Sequence, residues 1–222
     1  MGFRDFYSLL PLIDQVDPYR FYVKGYTEAL KLFSGVRVVL DEGWLNGVPP
    51  DLQDYFFRVK FPCYFIPIFR DSNCFGFVVK GFQKETPRFC TNNKYLPGCE
   101  RIHGGEVVVL VEGIKDSYLP FLACKGLPVV VIPMLTAIPS KDLLGFLKEM
   151  GCSLVFVPDN DVYKGDHVSR FYELCGKVGV KGFVFELNGI KDFGDFFVSE
   201  SRGWVLGEGK RLREMVKGMS IF

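Results

Sequence analysis

The chain contains no CxxC or CxxH pair, so neither a zinc knuckle nor a dithiol redox motif is written into it. Its seven cysteines are an odd number, and scattered reduced thiols acting as small, mostly buried hydrophobes account for them better than a disulfide framework. A looser group, Cys74, Cys90, Cys99 and His103, matches no common ligand spacing. No apolar run is long enough to cross a bilayer, and the opening Met1-Gly2-Phe3-Arg4-Asp5-Phe6 lacks the basic-then-apolar layout of a secretory signal. The chain therefore reads as intracellular and cytoplasmic, with no membrane partner. There is no GxxxxGK[ST] loop, no internal repeat and no low-complexity tract. A net charge of +1 excludes a molecule that is a polyanion binder all over, and 48% hydrophobic with 16% aromatic content excludes disorder as the default.

What is present divides near residue 104. Residues 1–104 read as an α+β segment: a helix over Thr27 to Phe33 ended by Gly35, a Gly/Pro-rich loop from Gly43 to Pro50, then strands over Cys63 to Ile68 and Phe75 to Phe82 split by the turn residues Asp71-Ser72-Asn73. Between residues 58 and 101 eight Lys/Arg (Arg58, Lys60, Arg70, Lys80, Lys84, Arg88, Lys94, Arg101) face three acids (Asp71, Glu85, Glu100), an excess of +5 interleaved with Phe and Tyr. That combination suits a single-strand-binding surface, and it equally suits an antiparallel sheet with a solvated face. Residues 105–222 change to strand, helix, strand, helix. Nearly continuous Val-rich runs at 106–111, 128–132, 153–157 and 182–187 alternate with helical stretches near 114–124, 140–150 and 166–177, which predicts a parallel sheet with helices on both faces. A last amphipathic piece runs from Lys210 to Met219.

The acids sit where those strands end. Glu112-Gly113 follows the first Val-rich run directly, with Asp116 one turn into the next helix. Asp159-Asn160-Asp161 follows the third run, and Lys191-Asp192-Phe193-Gly194-Asp195 the fourth. Two aspartates two apart in extended chain point the same way. Carboxylates gathered there repel unless a cation lies among them, so the pattern favours Mg²⁺ or Mn²⁺ and phosphate chemistry. Any single Asp after a strand also serves as a helix cap. An α/β protein whose acids are only caps and solvated faces is the plain alternative.

The ordered pattern, strand-Glu-Gly-x-x-Asp and then strand-Asp-x-Asp, resembles the Toprim domain shared by bacterial-type primases, topoisomerases and a group of nucleases. Upstream, Pro67-Ile68-Phe69-Arg70-Asp71, Gly76 to Phe82 and Lys94-Tyr95-Leu96 resemble the basic subdomain that DnaG-type primases carry before their Toprim domain, and Lys191 to Phe196 is similar to their later acidic motif. The resemblance covers roughly residues 20 to 200. It implies a basic nucleic-acid-binding subdomain at 1–104 and a catalytic Toprim-like domain at 105–222, joining nucleoside triphosphates on a single-stranded DNA template, an enzyme of the kind phages and mobile elements encode. It further implies Glu112, Asp159 and Asp161 as catalytic residues and, with Asp116 and Asp192, as the Mg²⁺ or Mn²⁺ ligands. Asp195 would support that shell, and Arg70, Lys80, Lys94 and Lys191 would contact nucleic acid or nucleotide. Two departures stand out: Leu135 precedes Thr136 where the family usually has Gly, and Gly165 arrives one residue late after Asp161. Without a zinc ribbon or helicase loop, template selection and unwinding are expected from other proteins, including a separate replicative helicase. A Toprim nuclease uses the same acids, and a non-catalytic replisome module could keep the fold. A topoisomerase fits less well, since the chain is short for a DNA gate.

Overall fold

Continuous Val, Ile and Phe runs have no polar face to offer solvent, and the computed structural model places each of them in a sheet, the last as a short, half-buried edge strand. It describes residues 26–41, 43, 58–59, 61–70, 73–82, 88–161, 163–198 and 201–219. Lys60, Asp71, Ser72, Lys84, Glu85 and nearly all of the Gly/Pro-rich stretch after Gly43 lie outside them. The chain divides into two compact units, residues 1–92 and 93–222.

In the first unit, α1 (Tyr26–Leu30) is shorter than the helix read from the sequence. Leu32 and Phe33 donate back to Ala29 and Leu30 in tighter turns, and Gly35 turns the chain with φ 70°. Four antiparallel strands follow, β1 (Arg37–Val39), β2 (Cys63–Arg70), β3 (Asn73–Gly81) and β4 (Arg88–Cys90), in that spatial order. Pro67 sits in β2 opposite Phe77 without breaking the sheet. Among the described residues β1 pairs only with residues 63–65, leaving no ladder there for Pro67 to satisfy on that side of β2. The Phe65 and Phe77 rings stack at 4.9 Å.

The second unit carries four parallel strands, β5 (Val107–Val111), β6 (Val129–Pro133), β7 (Ser153–Val157) and β8 (Gly182–Val184), in the order β6-β5-β7-β8. Alternate residues face opposite sides. One face, built from Val107, Val109, Val111, Val131, Val155 and Val157, packs against α2 (Tyr118–Ala123), α5 (Arg202–Met219) and a 3₁₀ turn at Phe193–Phe197. On the other, Phe156 meets Phe171 of α4 (Lys164–Val178), which lies beside α3 (Lys141–Glu149), with ring centroids 4.9 Å apart. Each fully buried Val, Leu or Phe contributes about 1.5–3 kcal/mol.

Residues 93–104 pack with this unit although they precede the change of rhythm. Tyr95 stands edge-on to Phe146 of α3, and the Ser140 hydroxyl at the start of α3 donates to the Asn93 carbonyl. β8 ends before its apolar run does, because Phe185 and Leu187 leave the strand to fill the core beneath α5.

Candidate functional site

From β5 the chain crosses to β6 on one side. It then returns past β5 to β7 and continues to β8 on the other side. The two crossovers diverge between the carboxyl ends of β5 and β7, which is where an open parallel sheet leaves a crevice for a ligand. Glu112 is the first residue beyond β5 and Asp159 the second beyond β7. They meet there: the Asp159 N–H donates to Glu112 Oε1 at 3.0 Å.

The other two acidic segments are tied to the same edge. Asn160 donates its backbone N–H to the Lys191 carbonyl at 2.7 Å and its side-chain amide to the Ile190 carbonyl at 3.2 Å, which stitches the Asp159-Asp161 loop to the Lys191-Asp192 loop. Asp116, in a 3₁₀ turn at Lys115–Ser117, accepts the Gly194 N–H at 3.0 Å. Thus all three acidic clusters converge, as their positions after β5, β7 and β8 require.

The electrostatics record how close they are. Burial, reinforced by Asp116, Glu112 and Asp192, pushes the Asp159 carboxyl up to about 8, with Lys191 opposing. Burial and then Asp192 push Asp116 up to about 7, against the Gly194 and Gly113 amides and the Lys115 ammonium. Glu112 is raised as well, by burial first and by Asp161 and Asp192, while the Asp159 amide and His167 pull the other way. A donor set of carboxylate oxygens that cannot all ionise together fits a hard divalent cation, whose charge removes the conflict. Among the described residues no three His, Cys, Asp or Glu side chains form a ready-made ligand shell. Their oxygens are turned onto backbone amides instead. Asp161 Oδ1 accepts the Tyr163 N–H at 2.9 Å, and Asp192 Oδ1 caps the Phe193–Phe197 turn through the Asp195 N–H at 3.1 Å. Asp195 in turn accepts the Lys191 N–H. The capping bonds thus fall on the same residues that gather at this edge.

Two glycines give Asp116 its place. A Cβ on Gly113 would lie 2.6 Å from Asp116 Oδ2, and one on Gly194 would lie 2.7 Å from Asp116 Oδ1 and 2.9 Å from Asp192 Oδ1. Gly194→Ala is therefore expected to destabilise the fold by about 1–3 kcal/mol. Gly145→Ala, in open space on α3, should be neutral or slightly stabilising. Urea denaturation midpoints of the two variants compare them directly, and equal midpoints would remove Gly194 from this role.

Leu135, the departure from the usual Gly, has φ 66°, the left-handed region that glycine adopts freely and that strains a leucine. Its N–H donates to the Glu112 carbonyl at 2.9 Å and its side chain is buried, so the strain is held by a contact to the site and by packing.

The sequence reading missed His167. It lies in the first turns of α4, its Nδ1 3.8 Å from Glu112 Oε1. The available signal was rarity, one of two histidines in the chain, six positions after Asp161.

The basic candidates are dispersed. Arg70 is half-buried at the end of β2, and Arg88 is exposed at the start of β4. Lys80 lies inside β3 with 8% of its surface exposed, a position that supports the sheet rather than presenting an ammonium to a polyanion. Lys94 belongs to the second unit, where it pairs with Glu149 at 3.7 Å and lies over the Tyr95 ring. Lys191 is exposed and 3.8 Å from Asp192.

The architecture is shared with solved primases. A primase structure from Aquifex aeolicus comprising zinc-binding and RNA polymerase domains superposes with TM-score 0.65 at 16% identity, over 96% of this chain and 59% of that one. The chain has the fold of a DnaG-type primase catalytic core. A DNA primase domain from Pseudomonas aeruginosa gives TM-score 0.62 at 16% identity over 91% of this chain and 76% of its own. A DnaG primase catalytic domain bound to single-stranded DNA gives 0.62 at 14% identity over 94% and 78%. No protein-family model and no curated protein matches the chain. The chain thus spans under two thirds of the Aquifex primase chain it matches, with the parallel sheet and the antiparallel sheet of the primase core both present. No helix among the described residues is long and apolar enough to cross a membrane.

Proposed function

We propose that the chain is a primase-type nucleotidyltransferase that joins ribonucleotides on a single-stranded DNA template. The observation that carries this reading is the meeting of Glu112 with Asp159 at the switch point of a sheet whose fold is that of primase cores. Glu112, Asp159 and Asp161, supported by Asp116 and Asp192, are the residues that would hold Mg²⁺ or Mn²⁺. When bound, the ion supplies positive charge to the phosphate oxygens and makes the attacking hydroxyl easier to deprotonate.

The chain's own groups have distinct tasks in the transfer. The primer 3′-hydroxyl oxygen forms a bond to the α-phosphorus of the incoming triphosphate, the bond from that phosphorus to the bridging oxygen breaks, and pyrophosphate leaves. The Glu112 carboxylate accepts the hydroxyl proton. Lys191, exposed beside Asp192, reaches toward the triphosphate. Asp195 fixes the Lys191 backbone from its Oδ2. Arg70 and Lys94 contact the template phosphates. Single strand would come from a separate helicase.

The test is incubation of the purified protein with single-stranded DNA, four ribonucleotides and Mn²⁺, reading labelled product and pyrophosphate. Short oligomers are expected. Degraded template without incorporation, across metals and templates, would replace this reading by that of a Toprim nuclease.

Template binding is expected to be strongly salt dependent. Replacing both Arg70 and Lys94 by Ala should flatten the log–log salt slope by about 1.4, since each single-strand phosphate contact contributes roughly 0.7. Fluorescence anisotropy across a salt series measures this, and an unchanged slope in the double variant would remove both residues from the interface.

A further inference from the structure

His167 brings an imidazole to the acidic edge, a nitrogen able to donate a lone pair among carboxylate oxygens. Its Nδ1 is buried and has no hydrogen-bond partner among the described residues, and at 3.8 Å the neighbouring Glu112 Oε1 is beyond hydrogen-bonding reach. An imidazole nitrogen left unsatisfied inside a protein costs about 1–3 kcal/mol, so its retention here calls for a partner. The ring is also held in place. It stacks on Tyr163 with centroids 6.3 Å apart and an interplanar angle of 28°, and the His167 backbone N–H donates to the Tyr163 carbonyl, so the residue is anchored at the start of the helix with its ring beside Glu112.

We infer that His167 supplies a nitrogen donor to the cation held by Glu112, making this edge a mixed nitrogen–oxygen site that prefers Mn²⁺ or another transition-metal ion over Mg²⁺. Imidazole is a good donor to transition ions, whereas Mg²⁺ keeps oxygen ligands and water. The inference rests on the reading of Glu112 as a metal ligand and adds to it a donor of different chemistry.

The experiment uses the full chain with Mn²⁺ alone. Pulsed electron paramagnetic resonance of the Mn²⁺ complex should show the electron-spin-echo modulation of a directly coordinated histidine nitrogen. The chain has only two histidines, so the modulation should persist in His103→Gln and vanish in His167→Ala. By calorimetry His167→Ala should weaken Mn²⁺ binding by about tenfold, the lower end of what loss of a supporting residue costs a metal site, while Mg²⁺ binding changes by less than about twofold. Mn²⁺ bound tightly by the wild type without nitrogen modulation would overturn the inference and leave Glu112 as a ligand. Equal weakening of both ions in His167→Ala would also overturn it. No Mn²⁺ binding by the wild type would overturn the metal reading itself.

Discussion

Replacing Glu112 by Gln is expected to lower the rate of nucleotide incorporation by about three orders of magnitude, within the range that loss of a general base costs, while template affinity stays within about twofold of the wild type. The amide keeps the size of the carboxylate and an oxygen to accept the Asp159 N–H, so the link between β5 and β7 survives. What is lost is the charge that would help hold the cation and the capacity to take a proton, the latter used in the transition state. Single-turnover incorporation alongside anisotropy of template binding measures the two quantities separately. A rate within tenfold of wild type would show that Glu112 is not the base, and a parallel collapse of template affinity would show that the substitution had damaged the fold instead.

The second large effect concerns Asp159 and runs in opposite directions for stability and for metal binding. Its carboxyl titrates at about 8 in the folded chain against an ordinary value of 3.8, so over that window the native state holds a proton that the unfolded state has released. Stability from this group is therefore fully present below about pH 4 and is lost as pH rises through about 8. Asp116, raised to about 7, adds a loss of the same sign. Without metal the melting temperature of the wild type should fall as pH rises between those limits. Asp159→Asn should show a shallower fall and should be the more stable protein at the alkaline end, on the order of 1–2 kcal/mol once the partly solvated position of Asp159 is discounted. The same variant should lose most of the stabilisation that Mn²⁺ confers, because a ligand and its charge are gone. Thermal melts across pH, in chelator and in Mn²⁺, read both effects. Identical pH slopes for wild type and variant would sink the assignment of Asp159 to the repelling cluster.

Much of this site is legible in the sequence because strands buried on both faces announce themselves as unbroken apolar runs. The residue after each run then has to lie at the carboxyl edge. Glu112, Asp159, Asp161, Asp192 and Asp195 all follow from that one rule. His167 does not, since a helix of mixed polarity gives no sign of which side chain will turn toward the preceding strands. The start of α5 is hidden for a different reason. Gly203, Gly207 and Gly209 weaken the helical signal ahead of Lys210, yet the helix begins at Arg202. Gly209 lets α5 approach Leu119 closely, a Cβ there lying 3.3 Å from that side chain, so tertiary packing overrides local propensity. The attachment of residues 93–104 to the second unit is likewise a matter of Tyr95 finding Phe146, a partner that no local pattern specifies. The capping reading of the aspartates is seen directly in their hydrogen bonds, and it leaves oxygens over for the proposed site. Asp192 caps the start of a turn with one oxygen and faces Lys191 with the other.

The strand order β6-β5-β7-β8 also sets when the acids first meet. Glu112 and Asp159 are separated by 47 positions, and their link cannot close until β6 and α3 have been laid down and β7 has returned beside β5. Contacts of such long range form late, because the loop entropy must be met before the contact repays it. The nascent chain can thus assemble β5 and β6 free of carboxylate repulsion, which arises only when the last elements dock. An ion that relieves that repulsion acts on the finished structure and hardly on the route to it, so its kinetic signature is slower unfolding at an unaltered folding rate.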